Sequence, residues 1–186
     1  MEAAMDRFFY VFWDYDDEAD KELDISEGAF SELIDTCFQY ADSFAVTYSL
    51  RGFNVCQRMD ETVCHHIIAT KAIPNGYVRC FFKCCPETKR YLLESYHCLF
   101  GWYWTEKRER LPENLAFYRS DGSSFFASET HEGKCYLYPR NGEDFSSVWK
   151  SEGWCLGAAG GGCLPSYMEL SWLNPQPNNL PESSQG

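Results

Sequence analysis

His131 and Glu132 come first in any search for chemistry in this chain, because an imidazole beside a carboxylate can be held in one tautomer and titrates near neutrality. Acting together, the two would serve as general acid and base. Adjacency alone points only weakly to that role. Neighbours on an extended chain face opposite sides, and a histidine in a connection is commonly a hydrogen-bonded turn anchor. His131 is therefore expected to anchor the connection between the last strands, with His131 and Glu132 as a catalytic pair held as the alternative.

Cysteine and histidine also cluster at Cys56, Cys64, His65 and His66, and three more thiols fall at Cys80, Cys84 and Cys85. Thiolate and imidazole are the preferred ligands of zinc, and four of them close a tetrahedral site. The spacing argues against it. The sequence contains no CxxC knuckle, Cys84 and Cys85 are vicinal, and the stretch from Cys80 to Cys84 has the pattern of a strand. No metal and no cofactor are expected; if zinc is present, Cys56, Cys64, His65 and His66 are its ligands. A nucleophilic cysteine paired with His97 or His131 is conceivable, but no motif singles out one of the ten cysteines. The glycine run at 157–162 lacks the Lys-Ser/Thr that follows a phosphate cradle and is expected to be a connection.

Charge is the third feature with functional content. The net charge is −12, and residues 1–35 hold twelve acidic residues against Arg7 and Lys21, while residues 36–186 hold sixteen against fourteen basic ones. Nearly all the excess is N-terminal, concentrated at 14–24. Carboxylates this dense repel one another and offer little to bury, so this segment is expected to be a solvated loop or a surface facing a partner. Such a chain is a poor nucleic-acid binder, since that recognition rests on Lys and Arg neutralising phosphates.

The elements that must carry these residues follow from periodicity. An aromatic strand at 8–13 precedes the acidic loop. Phe30, Leu33, Ile34, Cys37, Phe38 and Ala41 then recur on one face of a helix from about 27 to 41, with Ser26 as its cap and Glu27 suited to the positive end of the dipole. Strands are expected at 43–50 and 76–84, while 51–75 resists assignment. A second helix begins at Pro86, shows one face as Thr88, Tyr91, Leu92, Ser95, Tyr96 and Leu99, and stops at Gly101. In the stretch 111–138, two strand-like runs surround the turn residues Ser120, Asp121 and Gly122 and lead into His131.

That order predicts an α+β fold of split βαβ, ferredoxin-like type (β-α-β-β-α-β) with an added C-terminal β-hairpin. Residues 1–173 form one domain with the acidic loop at 14–24, and 174–186, rich in Pro, Asn and Ser, are a flexible tail. With 45% hydrophobic and 17% aromatic residues the core needs no disulfide staples. Together with an N-terminus lacking a signal-peptide pattern, this points to reduced thiols and a cytoplasmic location.

Trp102 or Trp104, the run Leu111-Pro112-Glu113-Asn114-Leu115-Ala116-Phe117-Tyr118, a glycine-containing turn, Phe126, Ser128 and Thr130-His131-Glu132 form a pattern. It resembles a group of small bacterial proteins with a W…LPEDLxFY…GxxW…SxSHE signature. The likeness spans roughly the middle and later two-thirds of the chain, with Asn114, Phe126 and Thr130 where that group has Asp, Trp and Ser. The resemblance implies a bacterial or phage origin and no particular activity.

Two functional classes follow. In the first, a non-enzymatic acidic protein docks on and inhibits a basic partner, such as a nuclease or another nucleic-acid-handling effector, in the manner of a toxin-immunity or anti-defence (anti-CRISPR) inhibitor. Its contacts would be Asp14, Asp16, Asp17, Glu18, Asp20, Glu22 and Asp24, which speed the encounter, and Trp102 and Trp104, which hold it. In the second, a small hydrolytic or thiol-based enzyme uses His131, Glu132 and a cysteine. An enzyme has no evident use for the surplus of N-terminal carboxylates, so binding is preferred.

Overall fold

Ser26 and the apolar positions after it decide the first long helix. Helix α1 spans Glu27–Tyr40, and the Ser26 hydroxyl accepts the Ala29 N–H at 3.2 Å. Phe30, Leu33, Ile34, Cys37 and Ala41 are buried, and Phe38 packs at their margin, so the face that the 3.6-residue period marks is the one the core receives. The structure, a computed structural model, describes residues 8–13, 15–16, 21–22, 24–49, 61–100, 111–148 and 154–158. Asp14, Asp17, Glu18, Asp20, Cys56, Trp102, Trp104 and the segment 174–186 lie outside the described residues.

Among the described residues, eight strands make one antiparallel sheet. They are β1 (Phe8–Trp13), β4 (Ser43–Ser49), β5 (Ile67–Ile73), β6 (Tyr77–Lys83), β7 (Glu113–Tyr118), β8 (Ser124–Glu129), β9 (Lys134–Leu137) and β10 (Trp154–Ala158). Their spatial order is β10-β1-β9-β8-β7-β4-β6-β5. Two short strands, β2 (Tyr15–Asp16) and β3 (Lys21–Glu22), pair with each other in a separate ribbon. Helices α2 (Glu61–Cys64) and α3 (Pro86–Ser95) and a 3-10 turn at Thr130–Glu132 complete the described elements. Among these residues no helix is long and apolar enough to cross a membrane.

The α+β class expected from the sequence is the class observed. The split βαβ order does not describe the sheet, because it would set β1 beside β6, whereas β1 pairs with β9 and β10. Strand β4 instead lies between β6 and β7, and the β7–β8 hairpin occupies the middle of the sheet rather than an end. The order of elements along a chain does not say which edges pair. The burial of β4 does, since all five residues from Phe44 to Tyr48 are buried, as suits a strand with neighbours on both edges and cover on both faces.

One face of the sheet packs against α1 and α3 through Phe44, Val46, Tyr48, Cys80, Phe82, Leu115, Phe117, Phe125 and Leu137. Phe44 stacks on Phe82 with ring centroids 5.1 Å apart, and Phe38 meets Phe117 edge-on at 5.6 Å. The opposite face carries Ala45, Ala116, Tyr118 and Ala127, with Phe81 and Tyr138 against them. Helix α3 ends at Ser95, short of the apolar pattern, because the chain turns away where His97 takes a φ of 63°. Tyr96 and Leu99 nevertheless stay buried, held by backbone outside the helix.

Candidate functional site

Thr130–Glu132 form a single turn of 3-10 helix between β8 and β9, closed by Gly133 in the left-handed region at φ 60°. Asn114 is also left-handed, at φ 56°, a conformation Asn tolerates better than most residues. The Asn114 N–H donates to Thr130 Oγ1 at 2.9 Å, and the Thr130 N–H donates to Asn114 Oδ1 at 3.1 Å. Nearby, the Ser128 hydroxyl donates to the Leu115 carbonyl and the Tyr96 hydroxyl to the Pro112 carbonyl. This corner is fastened by Asn114, Thr130, Ser128 and Tyr96.

His131 is not among the fasteners. Its side chain is 43% exposed, and its Nε2 lies 3.3 Å from Glu132 Oε1, with Lys134 Nζ 3.6 Å from the other carboxylate oxygen. The expectation that His131 anchors the connection gives way to Thr130, one residue earlier, because the tight turn sends residue 130 inward and residues 131 and 132 out to solvent. The same turn lets His131 and Glu132 meet, which an extended chain would not. Behind them, burial raises the Glu129 carboxyl above its ordinary range, and Lys134 offsets part of that rise.

In the acidic segment, Asp16 stands opposite Lys21 and Glu22 opposite Tyr15 in the β2–β3 ribbon. Asp24 has a different occupation. Its Oδ1 accepts the N–H groups of Ile25 at 2.8 Å and Leu99 at 3.1 Å, and its Oδ2 accepts that of Phe100 at 3.1 Å. On α1, Asp35 lies 2.8 Å from Lys89 Nζ, and Glu27 lies 3.1 Å from His97 Nδ1.

The cysteine and histidine positions divide in the same way. Cys64 ends α2, His65 is exposed, and His66 is half-buried just before β5. Among the described residues one trio of metal-type donors gathers, namely His66, Cys85 and Glu87, whose donor atoms all lie within 4.8 Å of one another. The expected zinc set of Cys56, Cys64, His65 and His66 thus shares only His66 with this trio; sequence reasoning weighed Cys85 and set it aside, and missed Glu87. A usable signal was present: Cys85 immediately precedes Pro86, so it stands at the start of a helix, where two residues further on Glu87 must lie within the first turn. Of the other thiols, Cys37 is pushed up by complete burial, and Cys84 is pushed up to about 12 by burial and then by Asp42, so both stay protonated near neutrality.

Two buried arginines complete the polar interior. Arg79, 1% exposed, donates to Thr47 Oγ1 at 3.0 Å and to Tyr118 Oη at 3.1 Å across neighbouring strands. Arg119 makes a two-pronged pair with Glu143 at 2.6 Å for each prong and also donates to the Tyr138 carbonyl at 2.7 Å. Arg79 thus joins side chains of adjacent strands, and Arg119 joins both a side chain and backbone, which is work for the fold.

No family model, no curated protein and no solved structure matches this chain.

Proposed function

We propose that the chain is a non-enzymatic acidic binding protein that docks on a basic partner protein and inhibits it, as a toxin-immunity or anti-defence inhibitor acting in the cytoplasm. The observation that carries this is the charge asymmetry: twelve acidic against two basic residues in the first 35. The β2–β3 ribbon gives it a physical form. Among the described residues that ribbon takes up part of the acidic stretch and forms a sheet separate from the eight-stranded one. A surface of one sign steers a partner of the other sign and raises the association rate at low salt.

Catalysis at His131 and Glu132 has less support, because the pair is more than 40% exposed and the buried polar groups beside it are occupied in holding the turn. The signature positions Asn114 and Thr130 are likewise engaged with each other, which favours a structural origin for the resemblance.

The test is kinetic. Asp14, Asp16, Asp17, Glu18, Asp20 and Glu22 are changed to Asn or Gln, and association with a partner captured from the native host is measured at low and high ionic strength. Wild type should associate faster at low salt, and the neutralised variant should be slow and insensitive to salt. Equal on-rates and equal salt response for the two proteins would remove the basis of the proposal.

A further inference from the structure

The geometry points to a binding site for a divalent transition metal of the zinc class, made by His66, Cys85 and Glu87 and leaving one coordination position open to solvent. One nitrogen, one sulfur and one oxygen donor, each from a different side chain, lie within 4.8 Å of one another, near enough to close on a shared ion with small side-chain movements. The donor types select the metal. Calcium and magnesium take oxygen ligands alone, whereas a thiolate with an imidazole suits zinc and its transition-metal neighbours. Three protein ligands leave the fourth position of a tetrahedral zinc site to water or another small ligand.

The scaffold under the trio is firm. The carbonyl of His66 accepts the Lys83 N–H at 3.0 Å, which ties the histidine's backbone to the end of β6. Three residues after Cys85, Thr88, fully buried, accepts the Cys85 N–H at 3.1 Å, and its hydroxyl lies 2.9 Å from the Lys83 carbonyl and 3.0 Å from that of Cys85. The backbone of the histidine just before β5 and that of the cysteine between β6 and α3 are therefore both fixed, and ligands on fixed backbone lose little freedom on binding. The start of α3 adds a favourable field for a thiolate and a carboxylate, the two anionic members of the set.

A cysteine, a histidine and an acid near a helix start also describe a nucleophilic thiol. A relay of that kind runs in line, with the acid on the ring nitrogen that faces away from the sulfur. Here the donor atoms of all three side chains, Glu87 and Cys85 included, lie within 4.8 Å of one another. Such mutual closeness suits a shared ion better than a relay, in which the imidazole ring separates the acid from the sulfur.

Cobalt(II) is the probe, titrated into the reduced full-length protein. One equivalent should bind with a thiolate-to-cobalt charge-transfer band and the intense d–d bands of four-coordinate cobalt, and zinc should displace it. Cys85→Ser should abolish the charge-transfer band. His66→Ala and Glu87→Gln should weaken binding by at least about tenfold, the loss that removing even an outer-shell partner of a metal ligand brings. Glu87 is exposed, so Glu87→Gln tests the site without threatening the fold. Because the chain has ten cysteines, Cys64→Ser is made in parallel and should bind cobalt as wild type does. A natively folded wild type that takes up no cobalt overturns the proposal, as does a band that survives Cys85→Ser or vanishes with Cys64→Ser. Fast alkylation of Cys85 that depends on His66, in a protein that ignores cobalt, would likewise replace the metal with a nucleophilic thiol.

Discussion

Asn114 and Thr130 each hold the other's backbone: the amide oxygen of Asn114 takes the Thr130 N–H, and the hydroxyl oxygen of Thr130 takes the Asn114 N–H. Both residues are buried, so neither N–H has water as a substitute partner. The exchange joins the first turn of β7 to the exit of β8 and fixes where the connection to β9 begins.

Replacing Asn114 with Ala should destabilise the protein by about 1–3 kcal/mol, from an orphaned Thr130 N–H and from a side chain that suits φ 56° poorly. Thr130→Val should cost a similar amount by stranding the Asn114 N–H. The double variant should fall short of the sum, with a coupling energy of about 0.5–3 kcal/mol in urea denaturation. Asn114→Asp keeps both the acceptor and the tolerance of left-handed backbone, so it should stay near wild type. Strict additivity of the two single changes would show that the exchange does not stabilise.

Arg119 and Glu143 make the second prediction. Their side chains are 7% and 12% exposed, and both prongs are 2.6 Å long. Arg119→Met should cost about 3 kcal/mol, because it leaves a largely buried carboxylate uncompensated. Burial opposes ionisation of Glu143, yet the Arg119 hydrogen bonds and the Arg140 N–H outweigh it and hold the carboxyl below its ordinary value. A carboxyl lowered in the folded state stabilises fully above its unfolded pKa of about 4.3 and loses that contribution as pH falls through the folded value. Melting temperature should therefore drop on acidification below about pH 4.3, and Glu143→Gln, less stable at neutral pH, should show a shallower drop. Parallel pH profiles for the two proteins would contradict this.

For His131 the prediction is a small effect. With a side chain 43% exposed and Thr130 carrying the turn, His131→Ala should change stability by no more than about 0.5 kcal/mol. Thermal melts of His131→Ala beside Thr130→Val make the comparison. A loss from His131→Ala as large as that from Thr130→Val would return the anchoring role to the histidine.

These residues show how far the sequence could be read. Helix α1 was legible to within a residue, from Ser26 through the face of Phe30, Leu33, Ile34 and Cys37, because a long amphipathic helix carries its own register. Strand β5 was not, since Thr70, Lys71 and Ala72 are exposed and its apolar pattern is broken, although Asn75-Gly76 just beyond it is a strong hairpin signal. Both residues take positive φ at the turn into β6. The strand order escaped for a different reason, namely that pairing joins edges distant in sequence, such as β1 with β9 and β10. The same limit hid the trio of His66, Cys85 and Glu87, which come together only when the end of β6 is set against the start of β5.

Asp24 holds a structural position within the acidic segment. Its carboxylate receives three backbone N–H groups, and two of them, on Leu99 and Phe100, belong to the buried chain that follows α3. Asp24→Asn leaves one acceptor oxygen and brings two donors of its own where only acceptors are wanted, so it should lower stability by about 1–3 kcal/mol. Neutralising Asp16 and Glu22 in the β2–β3 ribbon should leave stability within about 0.5 kcal/mol, the range for surface substitutions. The check is a pair of chemical denaturation curves, one for Asp24→Asn and one for the Asp16→Asn, Glu22→Gln double variant. Equal midpoints would mean that the three hydrogen bonds at Asp24 contribute nothing to stability. Separated midpoints would mean that Asp24 must stay intact when the remaining carboxylates are tested for partner binding, since only then does a slower association report charge and not a loosened junction between α1 and the chain after α3.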